Sequence, residues 1–219
     1  MLMDEFERQV DGLLARGYAE AAGISEHAFL EYVSPLRARV EELAVPFDTE
    51  EGRLPFVIVV RSELVPTERA MPMVVRDGKQ GFIGMPPVTP GSFRAIDEVS
   101  IPESILYLVF DIDRGRETLN MTPDQALSHF RSIGRSPLTI DEGVAILTHY
   151  PEFLQKNNCF SLVASRGTDR RVPALWISDG RPRLGWCWAG APHTWLGSAS
   201  CGGRCGAYPV LALKARSTS

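Results

Sequence analysis

Two helix start signals lie between two β-rich stretches, and this order limits the fold more than any other feature of the sequence. The stretch "TPDQ" (122–125) combines an N-cap threonine, a proline at the first helical position and a glutamine three residues after the cap. The stretch "TIDE" (139–142) is a capping box. Gly134 is expected to end the first helix and Pro151 to limit the second.

Runs rich in β-branched and aromatic residues predict strands on both sides of these helices. Before the helices they are "FVIVVRS" (56–62), two short strands around the Asp77–Gly78 turn, and "ILYLVFDID" (105–113). The last is the most hydrophobic and is expected to be a central strand. After the helices they are "CFSLVAS" (159–165), "VPALWIS" (172–178), "LGWCWAG" (184–190) and "YPVLALKA" (208–215).

The first 45 residues have helical spacing. Gly17 is a natural stop, Ser25 can cap a further helix, and "PFDTEEGRLP" (46–55) is expected to be a loop. The order helices, strands, helices, strands predicts an α+β fold with N-terminal helices, a mixed β-sheet, two central helices and a C-terminal β-rich segment. We expect residues 1–45 to be a helical extension packed on the core, and residues 46–219 to be a single α+β domain.

The cellular compartment is predicted from two features that the sequence lacks, a membrane-spanning segment and a signal peptide. No stretch approaches 18 consecutive apolar residues, so no membrane partner is expected. The N-terminus "MLMDEFERQV" is acidic and has no signal-peptide pattern, which predicts a cytoplasmic protein. The four cysteines should then be reduced thiols or metal ligands.

Charge is unevenly distributed along the chain. Residues 1–154 carry 14 Lys/Arg and 25 Asp/Glu, whereas residues 155–219 carry 9 and 2. The basic part could bind an anionic partner, or the two parts could pack together and neutralise each other. The overall pI of about 5.6 and the lack of a lysine-rich stripe argue against a nucleic acid partner.

Residues 159–205 contain many of the side chains that could bind a ligand or take part in a reaction. The leading hypothesis is that they form a ligand pocket. Guanidinium groups hold carboxylates or phosphates in a bidentate fork and stack on aromatic rings. We therefore expect a small anionic, aromatic or heterocyclic ligand, although a turn ion pair above a packed aromatic core would explain the same residues. Trp186 and Trp188 should share one face of a strand and Cys187 the other. The candidate ligand-binding residues are Arg166, Asp169, Arg170, Arg171, Trp186, Trp188 and Trp195, with Trp176 and His193 nearby.

Two further hypotheses involve the thiols. Cys187, His193, Cys201 and Cys205 offer a Cys₃His set for zinc, although Cys201 and Cys205 form its only closely spaced pair. Such a zinc ion could be structural, in an interaction protein, or catalytic. Alternatively, Cys201 in a glycine-rich loop could be a nucleophile with His193 as the proton carrier. The sequence leaves open whether the protein is an enzyme.

Several long stretches resemble a family of actinobacterial proteins of unknown function. These are "VFDIDRGRETLNMTP", "GRSPLTIDEGVAILTHYPEFL", "DRRVPALWIS" and "LGWCWAGAPHTWLGSASC". The resemblance covers most of the chain and implies a bacterial cytosolic protein that forms one evolutionary unit. It implies no catalytic residues, because no activity is established for the family. The common nucleotide-binding, zinc-protease and serine-hydrolase motifs are absent from the sequence.

Overall fold

The computed structural model of the protein describes residues 1–45 and 52–207. Its helices are α1 (Leu2–Ala15), α2 (Tyr18–Ala21), α3 (Glu26–Val33), α4 (Arg37–Glu41), α5 (Thr67–Met73), α6 (Pro123–Ile133) and α7 (Ile140–His149). Its strands are β1 (Arg53–Val60), β2 (Val75–Arg76), β3 (Lys79–Gln80), β4 (Phe82–Ile83), β5 (Arg94–Ala95), β6 (Leu106–Asp113), β7 (Ser136–Pro137), β8 (Cys159–Ser161), β9 (Ser165–Arg166), β10 (Arg171–Ser178), β11 (Arg181–Trp188), β12 (Leu196–Ser198) and β13 (Ser200–Gly206). The α+β prediction is confirmed. Over these two ranges, no helix is both long enough and apolar enough to cross a bilayer.

Most of the strands belong to two sheets. The first is antiparallel, in the order β1-β6-β13-β7, and β6 lies inside it as predicted. The second, in the order β12-β8-β10-β11-β4, is mixed because β12 pairs parallel with β8 and β4 pairs parallel with β11. Only Ala199 separates β12 from β13, so the chain passes directly from the second sheet to the first at this residue.

The residues predicted to cap helices and to form a turn do so in the structure. The hydroxyl of Thr122 accepts a hydrogen bond of 3.1 Å from the Gln125 amide, and Gly134 ends α6 in the left-handed conformation at φ 69°. Thr139 caps α7, which ends at His149, two residues before Pro151. Asp77 and Gly78 both have positive φ and form the two-residue turn between β2 and β3.

Two segments differ from the sequence-based prediction. Strand β1 begins at Arg53, within the stretch expected to be a loop, while residues 46–51 lie outside the described residues. Residues 200–206 form a strand rather than a glycine-rich loop. A Cβ atom on Gly203 would lie 2.6 Å from the ring of Phe110, so glycine lets this cross-strand aromatic ring lie over β13. The predicted strand 208–215 also lies outside the described residues.

Helix α7 packs between the two sheets and is buried along almost its whole length. It has many contacts with β1 of the first sheet. On the side of the second sheet, a Cβ atom on Gly143 would lie 2.5 Å from Leu162 and 3.0 Å from Leu175. Glycine therefore allows the second sheet to approach the helix closely, and α7 becomes the central element of the core.

A buried ion pair fixes α7 to the first sheet. The guanidinium of Arg204 in β13 binds both carboxylate oxygens of Glu142, at 2.5 and 2.8 Å. The Tyr107 hydroxyl and the Thr139 amide also donate to this carboxylate, at 2.9 and 2.8 Å. The Glu142 side chain is fully buried, so these four donors replace its water.

Helix α1 covers the free edge of the first sheet. The side-chain amide of Gln9 donates to the Phe56 carbonyl at 3.0 Å and accepts from the Ile58 amide at 2.8 Å. The ring of His149 donates to the Ile58 carbonyl at 2.9 Å. These side chains take the place of a neighbouring strand along β1. Glu5 holds the same region together, since its carboxylate binds Arg8 and Gln9.

We predict that Arg204→Met lowers the free energy of unfolding by about 3–5 kcal/mol, because Glu142 would be buried without a cation. Arg116→Met is the matched control, because Arg116 is exposed, and should change stability by less than about 0.5 kcal/mol. Urea unfolding followed by circular dichroism measures both. The double variant with Glu142→Gln should lose less than the sum of the two single losses. Equal effects of the two arginine changes would contradict this account.

We predict that Gln9→Leu destabilises the protein by about 2–4 kcal/mol, because two buried backbone groups of β1 lose their hydrogen bonds. The exposed Gln80→Leu is the control and should be nearly neutral. Amide hydrogen exchange should show faster exchange at Ile58 in the Gln9 variant only. Unchanged protection at Ile58 would show that Gln9 does not shield the strand edge.

Candidate functional site

The predicted arginine and tryptophan cluster is distributed over both faces of the β10–β11 hairpin. Arg171 lies opposite Trp188 in the register of the two strands, and Trp176 lies opposite Arg183. Directly opposite residues share a face, and the faces alternate along each strand. Arg171, Trp186 and Trp188 therefore share one face, with Cys187 on the other as predicted. Trp176 lies on the Cys187 face and not with the other two tryptophans.

Arg171 is already engaged by its neighbours. Its guanidinium carbon lies 4.5 Å from the centre of the Trp186 ring and 5.0 Å from that of Trp188. The same guanidinium forms an ion pair with Asp169, whose carboxylate also accepts from the Arg171 amide at 3.0 Å. Asp169 therefore orients Arg171, a contact that both the ligand-pocket hypothesis and the alternative of a turn ion pair above packed aromatic rings predict. Trp188 remains 46% exposed.

Arg166 and Arg170 both contact Asp124 in the first turn of α6. The Nη2 atom of Arg166 lies 3.2 Å from Oδ1 of Asp124, and that of Arg170 lies 3.1 Å from Oδ2. The Asp124 amide donates to the Ala189 carbonyl at 3.1 Å. These contacts fasten α6 to the second sheet. They also join the basic C-terminal part of the chain to its acidic N-terminal part.

Trp195 and His193 lie in the segment after β11, beside Trp176. The Trp195 ring meets the Trp176 ring edge-on at 6.4 Å between centroids, and the His193 ring lies 5.4 Å from that of Trp195. The His193 carbonyl accepts from the Asn120 amide at 2.9 Å. Trp195 is 36% exposed. This aromatic group forms a surface separate from the stack of Arg171 on Trp186 and Trp188.

The structure does not bring the predicted zinc ligands together. Cys187 lies in the second sheet, while Cys201 and Cys205 lie in β13 of the first. Four residues of extended strand span about 13 Å, so Cys201 and Cys205 cannot bind one ion. The CGGRC spacing suggested otherwise because a loop was expected there. Of the residues with described positions, no three His, Cys, Asp or Glu side chains are grouped so that they could hold a metal ion.

The thiols are also poorly suited to nucleophilic chemistry. Cys201 is fully buried, and burial raises its thiol pKa to about 12. Burial likewise raises the pKa of the Cys187 thiol to about 12. A nucleophilic cysteine requires a depressed pKa and access to substrate. The predicted pairing of Cys201 with His193 as a catalytic site therefore lacks the environment that it needs.

A cleft of about 560 Å³ opens at the N-terminal end of α7. The chain just after β1, the segment around β5, Tyr107 of β6 and the first turn of α7 form its walls. Its apolar lining includes Phe93, Ile101 and Ile140. Its lining also includes residues with hydroxyl groups, namely Ser62, Thr67, Tyr107, Thr139 and Ser165. We call it the Asp141 cleft after the carboxylate described next.

Asp141 is the most strongly perturbed acid on this wall. The Ser62 amide and hydroxyl both donate to its Oδ2, at 3.0 and 3.1 Å. Burial nevertheless raises the pKa of the Asp141 carboxyl to about 6, with a smaller contribution from the charges of Glu63 and Glu142. A carboxyl group with such a pKa in a cleft is typical of a functional site.

The two arginines of the cleft form hydrogen bonds with other groups of the protein, and one of them also forms an ion pair. Arg61 forms an ion pair with Glu63 and donates to the Pro102 and Glu103 carbonyls at 3.3 and 3.4 Å. Arg94 donates to the Gly91 and Phe93 carbonyls at 2.6 and 2.9 Å. Within the described ranges, neither Asp141 nor Glu68 has an ion pair with a cation. The lining of the cleft therefore has one more carboxylate than it has arginines.

Sequence reasoning did not identify Asp141 as a site residue. In the sequence it is part of a capping box, and an acidic residue in the first turn of a helix is ordinary. Its partner Ser62 lies 79 residues away in the sequence. The only available signal was the pair of adjacent acids at the start of an otherwise apolar helix, and this pattern also occurs in helices without a functional site.

The comparisons with known proteins agree with the resemblance found in the sequence. The model of a family of unknown function, DUF5701, matches residues 12–207. No curated protein and no solved structure matches the chain. The actinobacterial origin and the specific motifs remain predictions. Because the family model covers most of the sequence, this chain belongs to the DUF5701 family.

Proposed function

We propose that the protein binds a small molecule in the Asp141 cleft. The observation that carries the proposal is a partly buried carboxylate on the wall of a sizeable cavity, which forms no ion pair with a cation among the described residues. Both hydrogen bonds from Ser62 go to Oδ2. Oδ1 is therefore the atom that we assign to the ligand.

The size and lining of the cleft support this proposal. Small-molecule sites typically enclose about 300–1,000 Å³, with mostly apolar walls and a few polar anchors. The Asp141 cleft has this volume, with Phe93, Ile101 and Ile140 as apolar surface and Asp141 as the anchor. The Glu142–Arg204 pair fixes the helix that carries the anchor, so the site would be preorganised.

The anionic-ligand hypothesis for the arginine, tryptophan and histidine cluster has less support. Arg166 and Arg170 share Asp124, and Arg171 is paired with Asp169. An anionic ligand would have to compete with carboxylates that are already in place. The exposed rings of Trp188 and Trp195 lie in two separate groups, so they would not clamp one ring together.

An acid–base reaction in the same cleft is the second candidate function. A proton carrier works best when its pKa lies near the operating pH. The pKa of about 6 at Asp141 favours this role over that of Cys201, whose thiol pKa is about 12. Either function would be carried out in the cytoplasm, where the four free thiols would stay reduced.

We predict where small molecules bind. A fragment library would be screened by two-dimensional NMR on the full-length, ¹⁵N-labelled protein. Binding fragments should shift the amide signals of Ser62, Ile140 and Asp141, and should leave the indole signals of Trp188 and Trp195 unchanged. Asp141→Asn should weaken these fragments, whereas Trp188→Ala should not. Shifts confined to the indole signals would favour the cluster hypothesis, and the absence of any shift at the cleft would overturn the proposal.

We predict that Asp141 makes stability depend on pH. Its pKa is raised in the folded state, so its protonated form favours folding at low pH, and this contribution is lost as the pH rises through about 6. Between about pH 4 and pH 8, the unfolding free energy of the wild type should fall by up to about 3 kcal/mol relative to Asp141→Asn. Urea titrations at several pH values measure this difference. A difference that does not change with pH would contradict the burial of this carboxyl.

A further inference from the structure

We propose that the ligand of the Asp141 cleft carries an ammonium group, which binds Asp141 as its missing counter-ion. This inference rests on the proposed function and specifies its ligand class. The sequence-based hypothesis is an anionic ligand held by other residues, so the two proposals differ both in the charge of the ligand and in the residues that bind it.

The charge balance of the cleft is the first argument. Of its two arginines, Arg61 has an ion pair with Glu63, whereas Arg94 donates to two carbonyl groups that hold its side chain without neutralising its charge. The lining has these two arginines and three carboxylates, Glu63, Glu68 and Asp141, and is therefore net negative when Asp141 is ionised. Asp141 and Glu68 offer negative charge without a matching ion pair in the described part of the chain. A cationic ligand would remove this imbalance.

The lining favours an organic cation over a metal ion. The acidic residues of the cleft do not form a group of three ligands that could hold a metal, as far as the described residues show. The lining also includes the apolar residues Phe93, Ile101 and Ile140. An ammonium group on an aromatic or aliphatic body suits such a lining, because the body can contact the apolar residues while the nitrogen donates to Oδ1 of Asp141.

The affinity for a cation should depend on the ionisation of Asp141. Asp141 also borders a second, small cavity, whose lining includes Tyr18 and His149. Several other charged or titratable groups face the Asp141 carboxyl or line one of these two cavities. They are Tyr18, Arg61, Glu63, Glu68, Arg94, Tyr107, Glu142 and His149.

Three of these groups keep a constant charge near neutral pH. Burial raises the pKa of Tyr18 to about 12 and that of Tyr107 well above 10, and burial lowers the pKa of His149 to about 4. Asp141, with a pKa of about 6, changes from neutral to negatively charged as the pH rises through about 6. Binding of a permanently charged cation should therefore strengthen as the pH rises.

The test uses three probes with the same ring, namely benzylamine, benzyl alcohol and benzoate. Each is titrated into the full-length, ¹⁵N-labelled protein while the amide signals of Ser62 and Asp141 are followed. Benzylamine should bind most tightly and should bind about tenfold more tightly at about pH 8 than at about pH 5, following the ionised fraction of Asp141. Benzyl alcohol should bind weakly and without this dependence on pH.

Two variants identify the group responsible. Asp141→Asn should remove both the preference for benzylamine over benzyl alcohol and the dependence on pH. Asp11→Asn is the matched control, since Asp11 is exposed on α1 and is not part of the lining, and should behave as the wild type. A folded Asp141→Asn protein that still prefers benzylamine would overturn the inference.

The other outcomes separate this inference from the function on which it rests. If all three probes bind at the cleft with similar affinity, or benzoate binds best, the cleft binds small molecules but the ammonium preference is wrong. If no probe shifts the signals of Ser62 and Asp141 at any accessible concentration, the ammonium inference and the cleft as a binding site both fail.

Discussion

The buried contact between Glu142 and Arg204 is the interaction on which the arrangement of this fold depends. It joins the central helix α7 to β13, the last strand of the described structure, and Tyr107 of β6 completes it. An ion pair of this kind adds little stability compared with apolar packing, but it tolerates no other register, because a displaced partner would leave a charge buried. The position of the first helical turn, and with it the placement of Asp141 against Ser62, follows from this contact.

Helix and strand order could be predicted from the sequence because local signals determine them. The capping residues Thr122 and Thr139 act within one turn, and the Asp77–Gly78 turn depends only on two backbone conformations. The strand at residues 200–206 could not be predicted in this way. Glycine is unfavourable in strands unless a neighbour supplies the missing packing, and here Phe110 does so from β6. That neighbour is distant in the sequence.

The candidate site was harder to predict for the same reason. Tryptophan, cysteine and arginine are conspicuous in a sequence, and they drew attention to residues 159–205. In the structure, their thiols are buried and their guanidinium groups are paired, so they mainly hold the second sheet and α6 together. Asp141 is an ordinary helix-start residue until the chain from β1 places Ser62 beside it. The surroundings of Asp141, and with them the raised pKa of its carboxyl, are therefore set by the tertiary fold.

Because α1 covers the edge of β1, the choice of N-terminal boundary matters when fragments of proteins in this family are produced. The family model begins at residue 12, whereas Glu5, Arg8 and Gln9 lie before that boundary. A fragment cut at the boundary would keep every strand of the first sheet but would expose the Phe56 carbonyl and the Ile58 amide along an apolar edge. Such an edge is a template for pairing between molecules. Poor solubility of a recombinant fragment trimmed to the family limits would then reflect the missing first turns of α1 rather than any instability of the remaining core.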